Sequence, residues 1–426
     1  MKGIEVKFTK LLSLMDDELI LVLNSGSSSI KFSVFNSSEF LSRGKPLDRF
    51  LRGEIERIGG DNPSFSCTED RSHEFHAFPL NVSTHSDAAD FLIQWIGQKF
   101  SFSSFSGVGH RVVHGGDKYA APALVTAELL EDLRKFSAFD PDHLPAEIAV
   151  MTKIQTNFPD AAQVACFDTA FHHDLPPVAK ILPIPRHYQR RGVRRYGFHG
   201  ISYAYLLEEL KRLGGEKEAE SRVVFAHLGS GASLAAVHHG ECLDTSMSFT
   251  PVSGVPMSTR SGDLDPGLFW YFIKTEGMTP LEFNQMVNTQ SGLLGISETS
   301  SDIKELLEFE KKDPRAEEAV AYFCFQVKKW IGSFAAVLGG IDTLVFSGGI
   351  GENAAVIRER ICSHLEFLGI QLDPEFNRRN APIISDQGSR ARVRVIKTDE
   401  EVMIAKDVCK VLRKLKSLKR RKGGST

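Results

Sequence analysis

An arginine in a glycine-flanked turn can hold the paired oxygens of a carboxylate or phosphoryl group with its planar fork. This sequence carries three cationic segments of that kind: His110-Arg111-Val112-Val113-His114-Gly115-Gly116, Arg194-Arg195-Tyr196-Gly197-Phe198-His199-Gly200 and Met257-Ser258-Thr259-Arg260-Ser261-Gly262-Asp263. Phosphoryl transfer needs such donors around its equatorial oxygens, whereas any one of these arginines alone fits an ordinary surface ion pair. Asp168, in Phe167-Asp168-Thr169-Ala170-Phe171, is an acid among apolar neighbours. That setting fits either a buried functional carboxylate or a satisfied structural one.

Glycine-rich turns supply the complementary chemistry. Asn24-Ser25-Gly26-Ser27-Ser28-Ser29 lies between two strand-like runs, and its backbone N–H groups and small hydroxyls can cradle a phosphate, with Lys31 adding a point charge. Alone it reads equally as a hairpin turn, but the same device recurs at His227-Leu228-Gly229-Ser230-Gly231-Ala232-Ser233. A third turn, Ser347-Gly348-Gly349-Ile350-Gly351-Glu352-Asn353, follows the apolar strand Thr343-Leu344-Val345-Phe346, so backbone can approach a nucleotide and Asn353 can cap the next helix. The dinucleotide and P-loop spacings are absent, which disfavours Rossmann dehydrogenases and P-loop kinases. His110, His114, His172 and His173 match no zinc spacing. Thr398-Asp399-Glu400-Glu401 places carboxylates at a helix start, to interact with the dipole or to hold Mg²⁺.

These residues are carried by alternating strand and helix patterns, the α/β class. The periodicity predicts helices over Asp87–Gln98, Thr126–Phe136, Ala146–Asn157, Ser202–Leu213, Glu317–Leu338, Ala354–Leu368 and Asp399–Leu418, with Gly214-Gly215 and Gly369 as stops. The strand–turn–strand pattern of Glu18 to Phe35 repeats at Arg222 to His238, which predicts a duplication. Between the halves lies a Pro- and Arg-rich crossing, Leu175 to Arg195, read as a loop. The chain of 426 residues suits two or three domains, and a net charge of −3 argues against a surface built for nucleic acid. No run approaches a membrane helix, Asp16, Asp17 and Glu18 interrupt any leader-like pattern, and six cysteines without a C-x-x-C pair read as reduced thiols. The expected location is cytoplasmic. Lys410 to Lys422 form a basic run, read as a solvated final helix in preference to a polyanion-binding tail.

Eight motifs occur together in one order: Asn24 to Ser29, His110 to Gly116, Phe167 to Phe171, Tyr196 to Gly200, His227 to Ser233, Thr259 to Pro266, Gly348 to Asn353 and Thr398 to Glu401. In that order they resemble the acetate kinase family from about Leu19 to Ala405. The resemblance implies two duplicated actin-like, ribonuclease H-like α/β domains with the active site in the interdomain cleft. It implies residues 1–170 for the first domain, completed by a helix at about 396–420, residues 171–395 for a nucleotide-binding second domain, and a disordered end at 421–426. The implied reaction is reversible transfer of the ATP γ-phosphoryl group to acetate, with Mg²⁺ (or Mn²⁺), by a homodimer that binds neither nucleic acid nor membrane.

By motif, the resemblance assigns Asn24 and Glu400 to the metal and Lys31 to ATP phosphates. It assigns Arg111, Val113, His143, Phe198 and Pro251 to the carboxylate substrate, and Asp168, His199 and Arg260 to catalysis. His227, Leu228, Gly229, Ser230, Gly231, Asp302, Ile303, Lys304, Gly349, Ile350, Gly351, Glu352 and Asn353 fall to the nucleotide. Ser230, Ser258 and Lys304 stand where the family usually has Asn, Gly and Arg, and Asp142 stands where a Leu usually lines the acyl pocket. Because a carboxylate acceptor is already ionised at neutral pH, Asp168 fits better as a group that orients a cation than as a base. A propionate or butyrate kinase, and an actin-like ATPase module, are the rival readings.

Overall fold

The computed structural model describes residues 18–26, 28–70 and 73–423, with side chains to residue 418. Ser27 of the first turn, and residues 424–426 of the expected disordered end, lie outside the described residues. The described residues form two compact units, divided after Ala170 and again after Asp399, with the stretch from Glu400 onward joining the first.

In the first unit, strands β1 (Leu19–Ser25), β2 (Ile30–Asn36), β3 (Asp48–Glu56), β4 (Ser64–Glu69), β5 (Phe75–Pro79), β6 (Phe105–Val112), β7 (Ala123–Leu124) and β8 (Ala162–Phe167) form one sheet in the order β5-β4-β3-β2-β1-β6-β8-β7. In the second, β9 (Val223–Leu228), β10 (Ala232–His238), β11 (Glu241–Thr245), β12 (Thr343–Ser347) and β13 (Arg392–Val395) follow the order β11-β10-β9-β12-β13. The orders β3-β2-β1-β6-β8 and β11-β10-β9-β12-β13 correspond strand for strand: three antiparallel strands, then two parallel to the central one. The repeat read from the two turns is therefore a repeat of topology. β1, β9 and β12 are buried nearly throughout, as strands covered on both faces must be.

The helix Glu400–Gly423 crosses closely over β6. A Cβ on Gly109 would lie 2.5 Å from Ile404 Cγ2 and 2.8 Å from Val408 Cγ2, so glycine is what lets this helix dock and deliver Glu400 to the first unit. All six cysteines are buried and free. No helix among the described residues is long and apolar enough to cross a membrane.

The structure corrects some local expectations. The helix expected over Ala354–Leu368 stops at Cys362, because Ser363 turns extended and His364 takes φ 64°; a 3₁₀ turn, Glu366–Leu368, then ends on Gly369 at φ 85°. Asn353 does not cap the next helix. It ends the short helix Gly348–Asn353 and its Nδ2 donates back to the Gly349 carbonyl at 2.9 Å, while Ala354 holds the capping position. The helices Gly267–Glu276, Pro280–Thr289 and Ile303–Phe309 bury few residues or none, so they left no apolar stripe to read. The crossing Leu175–Arg195 contains two single-turn helices, Pro177–Lys180 and Arg186–Gln189.

Candidate active site

Parallel strands β6 and β8 end side by side, and their carboxyl ends deliver Arg111 and, just after β8, Asp168. This is where open α/β sheets present ligand-binding groups. Arg111 Nε and Nη2 both donate to Asp168 Oδ2, at 3.0 Å and 2.5 Å, and Nη1 donates to the Ser25 carbonyl at 3.4 Å. Burial disfavours the guanidinium charge, but Asp168, Glu400 and Glu147 outweigh it and hold the Arg111 pKa above its ordinary value. Because both donors converge on one oxygen, the buried Asp168 Oδ1 is left without a hydrogen-bond partner.

Glu400 opens the last helix and its Oε2 accepts from Asn24 Nδ2, on β1, at 3.0 Å. Burial and then the charge of Asp168 push the Glu400 carboxyl up to about 7, against the pull of Arg111. The orphaned Asp168 Oδ1 and the half-buried Glu400 carboxyl, held toward its protonated form, are oxygen donors with unused capacity for a cation. With the Asn24 amide oxygen they form a hard donor set that fits Mg²⁺.

Lys31 is exposed on β2, opposite Asn24 in the hairpin register and 3.9 Å from Glu54. Val113 is buried, with its N–H bonded to the carboxylate of Glu147. His143 Nδ1 lies 2.8 Å from Asp140 Oδ1; burial opposes the Asp140 charge, yet the contacts with His143 hold its pKa below the usual range. Asp142, the departure from the family pattern, is exposed.

In the second unit, three segments far apart in sequence converge on the β9–β10 turn. A Cβ on Gly231 would lie 3.1 Å from His199 Nε2 and 3.7 Å from Arg260 Nη1, and a Cβ on Gly229 would lie 3.8 Å from Gly349 N. The Ser258 N–H donates to the Ser230 carbonyl at 3.1 Å, which ties the Arg260 loop to the turn. Arg260 Nη1 donates to the Pro251 carbonyl at 3.2 Å. Gly348, at φ 76°, packs on the Leu228 carbonyl with no room for a side chain.

His199 sits at φ 61°, at the start of the helix Gly200–Gly214. Its Nδ1 shares a hydrogen bond with Ser233 Oγ at 2.9 Å, and Ser233 in turn contacts the Tyr203 hydroxyl. His227 is fixed in the same way: Nδ1 bonds Ser202 Oγ at 2.8 Å, Ser202 bonds Thr398 Oγ1 at 2.8 Å, and the Thr398 N–H donates to Glu352 Oε1 at 3.1 Å. Glu352 Oε1 also accepts from the Gly348 N–H at 3.0 Å, so its side chain fastens the third turn from within.

Buried Phe198 is held by His172, whose Nε2 bonds the Phe198 carbonyl at 3.0 Å while Nδ1 faces Cys242 Sγ at 3.2 Å. Burial lowers the His172 pKa to about 4, and the same cause takes His110, bonded to Gln163, to about 4. Both histidines are thus engaged as neutral structural groups. Asp302 caps the helix Ile303–Phe309 through the Lys304 N–H, and that helix packs on Pro314–Leu338; no hydrogen bond among the described residues links Asp302, Ile303 or Lys304 to the glycine-rich turns.

Two supporting groups escaped the sequence reading. Glu147 falls on the buried stripe of the helix Leu144–Asn157 with Leu144, Ile148, Met151 and Ile154, and a lone acid on an apolar stripe was a legible signal. Ser202 and Thr398 carry none, since two hydroxyls 196 positions apart meet only through the fold.

The model of the acetokinase family matches residues 19–406. The chain is 41% identical over 396 residues to an acetate kinase of Rhodopseudomonas palustris (strain TIE-1), covering 92% of this chain and 98% of the relative. It is 40% identical over 397 residues to a propionate kinase of Citrobacter rodentium, covering 92% and 96%. Among solved structures it is similar to an acetate kinase of Porphyromonas gingivalis (34% identity, TM-score 0.83, covering 93% and 100%) and a propionate kinase of Francisella tularensis (35%, TM-score 0.84, 92% and 98%).

Proposed function

The chain belongs to the acetokinase family and is a phosphotransferase of that family, and from that premise we propose how its residues divide the work of moving the ATP γ-phosphoryl group reversibly to acetate. Arg111 receives the acceptor carboxylate, with Val113, His143, Phe198 and Pro251 toward its alkyl end. His199 and Arg260 neutralise the transferring group. The β9–β10 turn and the Gly348–Asn353 helix hold the nucleotide, and Lys31 reaches its phosphates. Asn24 and Glu400 would hold Mg²⁺, which when bound would supply positive charge to the nucleotide phosphates.

The observation that carries this reading is the buried Arg111–Asp168 fork. A fixed guanidinium at the end of β6 is suited to an anion that needs no deprotonation, and Asp168, already spanned by two Arg111 donors, is suited to orienting that cation. Trapping of acyl phosphate as hydroxamate, with acceptors from formate to butyrate, tests it: carboxylate-dependent hydroxamate with acetate as the best acceptor is expected. ADP release without hydroxamate would indicate an ATPase instead. Propionate as the preferred acceptor is the second reading, favoured by the comparable identity to a propionate kinase.

We also propose that the chain works as a homodimer. The helix Gly267–Glu276 buries no residue and leaves Trp270 and Tyr271 more than half exposed, a face suited to a second copy. Light scattering on Trp270→Glu should then report a monomer.

A further inference from the structure

Glu147 is a buried carboxylate to which the reaction described above gives no role. Both of its oxygens lie within hydrogen-bond distance of one donor, the Val113 N–H, at 3.2 Å and 3.1 Å, and Oε1 lies 3.9 Å from Arg111 Nη1. It thus grips the backbone two residues beyond Arg111 while adding a third acid, after Asp168 and Glu400, to those that act on the same guanidinium. The charged groups that face it are Arg111 from β6, Asp140 from the turn before its own helix, and Asp168 from the end of β8. His110 of β6 is neutral. On the neighbouring helices, Asp90 pairs with Lys153 and Asp132 with Lys118.

We propose that Glu147 is a positioning residue of the carboxylate-binding site: it fixes the Arg111–Val113 segment, and it makes anion binding proton-linked through its own charge. The inference rests on the assignment of Arg111 to the acceptor carboxylate. When Glu147 is neutral, Arg111 is shared with Asp168 and retains attraction for an incoming anion. When Glu147 is ionised, a further negative charge stands 3.9 Å from the guanidinium and offsets that attraction. Burial, outweighing Arg111 and the Val113 N–H, pushes the Glu147 carboxyl up to about 8, so the change falls within the working pH range.

The direction follows. Acetate is an anion throughout, so its KM should rise with pH as Glu147 loses its proton, by about three- to tenfold between about pH 7 and about pH 9 at saturating nucleotide and Mg²⁺. Glu147→Gln keeps an oxygen for the Val113 N–H and cannot ionise. Its acetate KM should stay flat within about twofold over that range, with kcat little changed. A variant profile parallel to the parent's would overturn the inference. A second readout needs no turnover: acetate binding near pH 8, followed by calorimetry in buffers of different ionisation enthalpy, should take up protons in the parent and not in Glu147→Gln. Absence of uptake in the parent overturns the proposal even where the variant fails to fold. Arg111→Lys separates the two levels. If it leaves the acetate KM unchanged, the Arg111 assignment itself fails; if it raises KM while Glu147→Gln keeps the parent's pH profile, only the Glu147 inference fails.

Discussion

Each unit places a turn at the carboxyl end of the central strand of the same five-strand order, yet the groups gathered around the two turns differ in kind. Near the Asn24–Ser29 turn stand Arg111, Asp168, Glu147 and Glu400, where the three acids hold the Arg111 pKa up and the charge of Asp168 adds to burial in raising the Glu147 and Glu400 carboxyls. Near the His227–Ser233 turn the fastenings are hydrogen bonds of imidazoles, hydroxyls and backbone: His199 to Ser233, His227 to Ser202 and Thr398, and the Gly348 N–H to Glu352. One topology thus carries two solutions for anions. Mutually compensating charges suit a small carboxylate and a metal ion. A cradle of backbone held by hydroxyl relays suits a large nucleotide, which needs close approach more than local charge.

The largest expected effects are at the two arginines, one beside each turn. Arg111→Ala should lower kcat/KM by on the order of 10² to 10³ and raise the acetate KM, and Arg260→Ala should lose a similar factor mainly in kcat. Steady-state kinetics in both substrates check this, and near-normal turnover in both variants would sink the site assignment. Asp168→Asn should follow, with a fall in kcat of about 10² because the Arg111 fork loses its charged partner. If Asp168 orients a cation, the pH–rate profile keeps its acidic limb; disappearance of that limb would restore a base role.

The hydroxyl relay should give a smaller and differently directed effect. Ser202→Ala removes the bond to His227 Nδ1 and the link to Thr398. A loss of about 0.5–1.5 kcal/mol per bond corresponds to roughly three- to tenfold weaker ADP binding, with the acetate KM unchanged. An equal rise in both constants would contradict the division between the units. The smallest effect is expected at exposed Asp142. Asp142→Leu should change the acetate-to-propionate ratio of kcat/KM by less than about tenfold, measured by competition between the two acceptors; a larger shift would place Asp142 in the acyl pocket.

The strands and their turns were legible because the turns are built from Gly, Ser and Asn between apolar runs, and the repeat of that device exposed the duplication. Arg111, Asp168, His199 and Arg260 could be singled out because charged residues between glycines or apolar neighbours are costly unless they serve contacts. What sequence could not convey was partnership. Nothing near Asp168 indicates that Arg111 would place both donors on one oxygen, since that depends on β6 and β8 ending side by side. Likewise Glu352 reads as one more residue of a glycine-rich turn, although its carboxylate binds both the Gly348 N–H and, 46 positions away, the Thr398 N–H. Asn353 was misread because an Asn after glycines fits a helix cap as well as a helix end.

The most direct test of the division of labour is equilibrium binding of Mg²⁺-ADP to Arg111→Ala, measured by calorimetry beside the acetate KM of the same variant. An ADP Kd within about threefold of the parent is expected, while the acetate constant rises by about tenfold or more. An ADP affinity that falls as far as the acetate affinity would show that Arg111 serves the nucleotide as much as the carboxylate, and would contradict that division.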